Sequence, residues 1–144
     1  MKMTKYLFII AAALSITACG NKKDSNKTEV VTKKAMLIDG VNDYKDNAST
    51  TINNAYISEN NMVLDIVYSG GCEDHEFSLL GSKMIAKSLP AKRGIFLYHQ
   101  NNGDSCRELI EETLTFDISD FAYTGEEIIL LLEGYKEPLT YSLK

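Results

Sequence analysis

Short runs in this chain alternate apolar and polar residues with a period of two. Met62, Leu64, Ile66 and Tyr68 alternate with Val63, Asp65, Val67 and Ser69, which predicts a strand with one buried face. Thr51 to Ile57 reads as its hairpin partner, with Asn60-Asn61 as the turn signal. Phe77 and Leu79 mark a third strand. Gly94 to His99 marks a fourth, with Ile95, Leu97 and His99 on one face and Phe96 and Tyr98 on the other. Leu114, Phe116 and Ile118 alternate again, and Ile128 to Leu132 is a continuous apolar run suited to a central strand. Leu139, Tyr141 and Leu143 finish the series.

Turn residues separate these runs at Gly70-Gly71, Pro90 to Gly94, Asn101 to Gly103, Thr124-Gly125 and Gly134 to Pro138. Short strands with turns every 8–12 residues predict an all-β protein, here an antiparallel β-sandwich of about seven strands, immunoglobulin-like or similar. Val30 to Ile38 reads as an extra edge strand, with the polar stretch from Asp39 to Thr50 as its loop. Ser105 to Glu112 and Lys83 to Ser88 carry helix-forming residues, but neither is long enough to change the class. No repeat of 20–50 residues is present.

The N-terminus breaks the pattern. Lys2 and Lys5 precede an apolar stretch that runs from Tyr6 to Leu14 without a polar stripe. Tyr6 to Ala18 spans 13 residues, too few for a membrane-crossing helix of about 20 and right for a signal-peptide core. Ile16, Thr17, Ala18 and Cys19 close it, and this ending resembles the type II signal peptide of bacterial lipoproteins, matching the four lipobox positions one by one. The resemblance implies cleavage before Cys19, a diacylglyceryl thioether on its sulfur and a further acyl group on the new amine. It also implies a Gram-negative envelope location. Gly20 is not the aspartate that retains such proteins in the inner membrane, which favours the outer membrane. Two or three acyl chains hold firmly, since each buried methylene contributes about 0.8 kcal/mol.

After the cysteine, Gly20 to Lys34 contains an eight-residue stretch, Asn21 to Thr28, without a large apolar residue, and reads as a flexible tether. The expected organisation is a cleaved signal peptide over 1–18, lipidated cysteine and tether over 19–34, and one sandwich domain over 35–144. Without residues 1–18 the chain keeps 13 basic and 20 acidic residues, a formal charge of −7. Nucleic-acid binders present basic faces, so that partner class is excluded, and a polybasic grip on anionic lipid is disfavoured.

Candidate chemistry sits in two phrases, Ser69-Gly70-Gly71-Cys72-Glu73-Asp74-His75 and His99-Gln100-Asn101-Asn102-Gly103-Asp104-Ser105-Cys106. Together they hold both histidines and both cysteines other than Cys19. Three readings stay open. An oxidising envelope makes a Cys72–Cys106 disulfide the default, with the histidines as bystanders. Cys72, His75, His99 and Cys106 could instead form a tetrahedral zinc set, although the six residues between His99 and Cys106 exceed the usual finger spacing. Bridge and zinc exclude each other, because zinc needs thiolates. The third reading keeps the bridge and makes His75, His99 and Asp104, with Glu73 or Asp74, a polar site for metal or acid–base chemistry.

No serine, threonine or free thiol is placed by sequence to act as nucleophile. Asn101 to Asp104 suits a tight turn and lacks the ligand ladder of a calcium loop. Asp39, Asn42, Asp43 and Asp46 read as a polar loop, and Gly70-Gly71 lacks the helix and lysine of a phosphate cradle. Asn26-Lys27-Thr28 and Asn47-Ala48-Ser49 read as chance glycosylation triplets. Gly70-Gly71-Cys72-x-x-His75 is loosely similar to uncharacterised envelope lipoproteins, from which no activity follows. The function expected is a membrane-anchored binding or accessory module that engages an envelope protein or small ligand and needs no cofactor. The alternative is a zinc-binding protein or metal-dependent enzyme on the Cys/His cluster.

Overall fold

The computed structural model describes residues 31–40, 44 and 46–143; the expected signal peptide, Cys19 and most of the expected tether lie outside them. Nine strands follow one another: β1 (Thr32–Lys34), β2 (Met36–Ile38), β3 (Thr50–Ser58), β4 (Asn61–Gly70), β5 (Glu76–Ser82), β6 (Ala91–Gln100), β7 (Glu108–Asp117), β8 (Ile128–Leu132) and β9 (Leu139–Tyr141). They form a four-stranded sheet in the order β1-β7-β4-β3 and a five-stranded sheet in the order β2-β5-β6-β8-β9. The all-β sandwich expected from the alternation is present, with a single 3₁₀ turn, Ser119–Phe121, as the only helical element among the described residues.

Each alternating run turns its apolar parity inward. Met62 and Leu64 of β4 pair in register with Phe116 and Leu114 of β7, and these four are buried together with Ile66 and Tyr68 further along β4. On the facing sheet, Ile95, Leu97 and His99 of β6 and Ile128, Leu130 and Leu132 of β8 are buried. The interior is one contiguous cluster reaching from Ala35 to Tyr141. Tyr141 of β9 donates its hydroxyl to Asn60 Oδ1 at 3.1 Å, tying one sheet's last strand to the other sheet's first hairpin turn.

Three features depart from the sequence reading. β1 and β2 are one extended run that changes sheets at the buried Ala35, whose N–H donates to the Asp117 carbonyl. Thr32 to Lys34 is therefore paired into the sandwich, and one predicted edge strand becomes two short ones. This run lies parallel to β7 in one sheet and to β5 in the other, and β6 also runs parallel to β8. The sandwich is thus mixed, because strand direction is set by connections and leaves no mark on side-chain alternation. Finally, Ser105 to Glu112 forms no helix: Glu108 onward is β7, paired with β4 from Gly70 to Asn61. A ten-residue ladder overrides local helix preference.

One buried cation escaped the sequence reading. Arg93 is 3 % exposed; its guanidinium donates to the Ser82 carbonyl and, at 3.3 Å, to the Phe121 carbonyl. It shares the inward parity of Ile95 and Leu97, and burial pulls its pKa below the ordinary value. Its fork fixes the 3₁₀ turn against the end of β5.

Candidate functional site

The two cysteine–histidine phrases meet at one end of the sandwich. β4 ends in Gly70, and the chain turns through Gly71, at φ +115°, into Cys72 and on to His75 just before β5. β6 ends at Gln100, then Asn101 to Asp104 forms the predicted tight turn, with the Asp104 N–H on the Asn101 carbonyl at 2.9 Å and Gly103 at φ +80°. Cys106 follows and is bonded to Cys72, their Cα atoms 5.9 Å apart.

Asp104 is the junction of the cluster. Its Oδ2 accepts the N–H groups of Cys72 at 2.9 Å and Glu73 at 3.0 Å, and its Oδ1 accepts that of Cys106 at 2.7 Å. Oδ2 also meets His75 Nε2 at 3.1 Å, with the two side chains 3 % and 0 % exposed. The Cys106 amide first, then those of Cys72 and Glu73 and the His75 ring, hold this carboxyl well below the usual carboxylate range. A carboxylate that accepts several N–H bonds stays ionised.

From Asp104 a chain of side chains runs inward. His75 Nδ1 lies 2.7 Å from His99 Nε2, and His99 Nδ1 lies 2.8 Å from Thr50 Oγ1. The ionised Asp104 only accepts, so His75 Nε2 carries a hydrogen. With His75 neutral, its Nδ1 accepts from His99 Nε2–H, and His99 Nδ1 then accepts the Thr50 hydroxyl. All three bonds point toward Asp104.

Aromatic rings close the cluster. Phe77 stacks on His99 with centroids 4.4 Å apart, and the Tyr68 ring lies 4.8 Å from His75 and 5.1 Å from His99. Tyr68 donates to Glu112 Oε2 at 3.1 Å, and burial, with this carboxylate second, pushes its pKa up to about 12. Asn47 Oδ1 accepts the His99 N–H at 2.8 Å while its Nδ2 donates to the Leu97 carbonyl. Gly70 leaves room for the His75 ring, since a Cβ there would lie 2.6 Å from its Cε1 and Nε2.

His75, His99 and Asp104, grouped by the sequence reading, are therefore contiguous, while Glu73 and Asp74 are exposed at the rim, Glu73 joining through its backbone N–H alone. Sequence reasoning missed Thr50 and Asn47, which reach His99 across about fifty residues and carry no local signal. In the bridged form neither sulfur is a thiolate, and every imidazole nitrogen has a protein partner. A zinc set of Cys72, His75, His99 and Cys106 requires the bridge and those bonds to open. Cys72, Cys106 and Asp104 place potential ligand atoms within 4.8 Å of one another, but the sulfurs are bonded together and the carboxylate is saturated by N–H groups.

Burial first, and the neighbouring His75 second, lower the His99 pKa, against the opposing pull of the Ser49 and Ala48 carbonyls. The unfolded chain then takes up a proton before the folded one. Stability from this group is whole above about pH 6.5 and drains away as pH falls below it. Urea midpoints should hold between pH 8 and 7, fall toward pH 5, and fall less in His99→Gln. Equal midpoints at pH 7.5 and 5 would refute this electrostatic picture.

No protein-family model matches the chain, and no curated protein matches it. Solved structures do. A protein of unknown function from Bacteroides vulgatus superposes with a TM-score of 0.57 at 17% identity, covering 80% of this chain and 58% of that one. A NigD-like immunity protein from Bacteroides caccae gives 0.56 at 14% identity, covering 78% and 64%. The chain spans about three fifths of the length of these neighbours. Likeness at this identity shows a shared sandwich fold and nothing of activity.

Proposed function

We propose that this chain is an exported lipoprotein of a Gram-negative envelope, cleaved ahead of Cys19 and held by acyl chains, in the outer membrane by virtue of Gly20. Its sandwich works there as a binding or accessory module for another envelope protein. The observation that carries the reading is the Cys72–Cys106 bridge in a chain that opens with a lipobox. Disulfides persist in oxidising compartments, which is where a lipobox sends its cargo. A solved neighbour named as an immunity protein supports an accessory or protective role.

The surface assigned to the partner is the outer face of the five-stranded sheet. A groove of about 530 Å³ there is lined by Gly94, Phe96, Ile129, Leu131 and Tyr135, with Leu131 46 % exposed in mid-strand. Affinity capture of the full chain from detergent-solubilised envelopes should recover a specific protein, and Leu131→Asp should lose it. Capture of nothing specific, or capture unaffected by Leu131→Asp, counts against this face. Two reactive thiols with one equivalent of zinc in the purified chain would replace the reading by the metal-binding one.

A further inference from the structure

The hydrogen-bonded chain that starts at Asp104 ends on the Thr50 hydroxyl, and Thr50 borders a cavity. Thr50 opens β3 and contributes to the wall of a cavity of about 260 Å³, together with Asn47, Ser49, Ile52 and Glu133. The lining is mainly polar, and Glu133 is its one ionisable member among the described residues. Thr50 Oγ1 is 2.8 Å from His99 Nδ1, His99 Nε2 is 2.7 Å from His75 Nδ1, and His75 Nε2 is 3.1 Å from Asp104 Oδ2. A hydroxyl within reach of an imidazole, itself oriented by further groups, is the arrangement that activates a nucleophile. Here a second imidazole stands between base and carboxylate.

We propose that Thr50 is a nucleophile for acyl transfer from short, uncharged or cationic esters, with His99 as its base and His75 and Asp104 as positioning residues. The inference is independent of the lipid anchor and of the partner surface. In the first step Thr50 Oγ bonds to the acyl carbon while the ester C–O bond breaks. The hydroxyl proton passes to His99 Nδ1 and from there to the departing alcohol. Water then attacks the acyl-threonine and gives its proton to His99 Nδ1, which returns it to Thr50 Oγ as the acid leaves. Between these transfers the His99 imidazolium donates Nε2–H to His75, whose own Nε2–H faces the Asp104 carboxylate, so the transient positive charge is balanced inside the fold.

Cavity size and charge set the substrate class. The volume lies below the 300–1,000 Å³ usual for larger ligand sites, which restricts the acyl group to a short one. Glu133 in the wall repels anionic esters.

The test uses the oxidised full chain in detergent with two probes, p-nitrophenyl acetate and a fluorophosphonate that traps activated hydroxyls. The expected result is an adduct on Thr50, located by peptide mass spectrometry, and ester hydrolysis that falls about a hundredfold or more in Thr50→Val, the scale of a general-base contribution. Thr50→Ser should keep both reactions, and His75→Gln should shift the pH profile of hydrolysis while leaving the Thr50 adduct detectable. An unlabelled Thr50, or a folded Thr50→Val chain that hydrolyses the ester as fast as the parent, overturns the proposal.

Discussion

Replacing Cys72 and Cys106 together by alanine will destabilise the fold by about 3.8 kcal/mol, the chain-entropy value for a loop of roughly 35 residues. The bridge spans a sequence separation of 34 and encloses the whole β5–β6 hairpin. A small domain has about 5–15 kcal/mol in all, so the loss is a large share. With a urea slope of about 1–3 kcal/mol per molar, the midpoint should drop by about 2 M. Reducing agent should reproduce the shift in the parent protein and leave the double variant unaffected. Midpoints that agree between parent and variant would show that the two sulfurs do not restrain the native chain.

Gly70→Ala is the second large effect. The new methyl would sit 2.6 Å from two atoms of the His75 ring and 3.2 Å from Asp104 Oδ2. Something must move, and the ring is confined by Tyr68 and His99. Overpacking of this kind costs about 1–3 kcal/mol. Displacing His75 also removes the bonds to Asp104 and His99, so the acid sensitivity assigned to His99 should change with stability. Gly94→Ala is the matched control, since a Cβ there meets nothing within 4 Å. Its stability should stay within about 0.5 kcal/mol of the parent, as for ordinary surface changes. A Gly70→Ala protein as stable as Gly94→Ala would contradict the packing described around His75.

How much of this was legible in the sequence varies element by element. β4 from Met62 and β6 from Gly94 could be read residue by residue, because a period of two maps directly onto inward and outward faces, whereas Ala91 to Arg93 of β6 were read as part of a turn. β7 could be read only from Leu114 onward, since its first half has helix-forming composition and owes its strand form to β4. The parallel pairings were illegible, because alternation is the same whichever way a neighbour runs. At the site, the two cysteines and two histidines of the two loops lie together in space, with Asp104 beside them. Thr50 carried no local signal. It lies 49 positions from His99 in an unremarkable Thr-Thr pair, and only the crossing from the 46–49 segment into β3 brings it to the ring. Arg93 is a second such case. It fell in the Pro90 to Gly94 segment read as a turn, and only the extension of β6 back to Ala91 turns it inward onto two carbonyls.

The central claim is that the chain crosses a membrane, gains lipid on Cys19 and oxidises its other two sulfurs. Intact-mass spectrometry of the chain extracted from the membrane fraction of its host, without reductant, tests all three parts at once. The account predicts a polypeptide that begins at Cys19, carries acyl mass on that cysteine, and is two hydrogens lighter than the fully reduced form. A chain that retains Met1 to Ala18, bears no lipid and has two free thiols would contradict it.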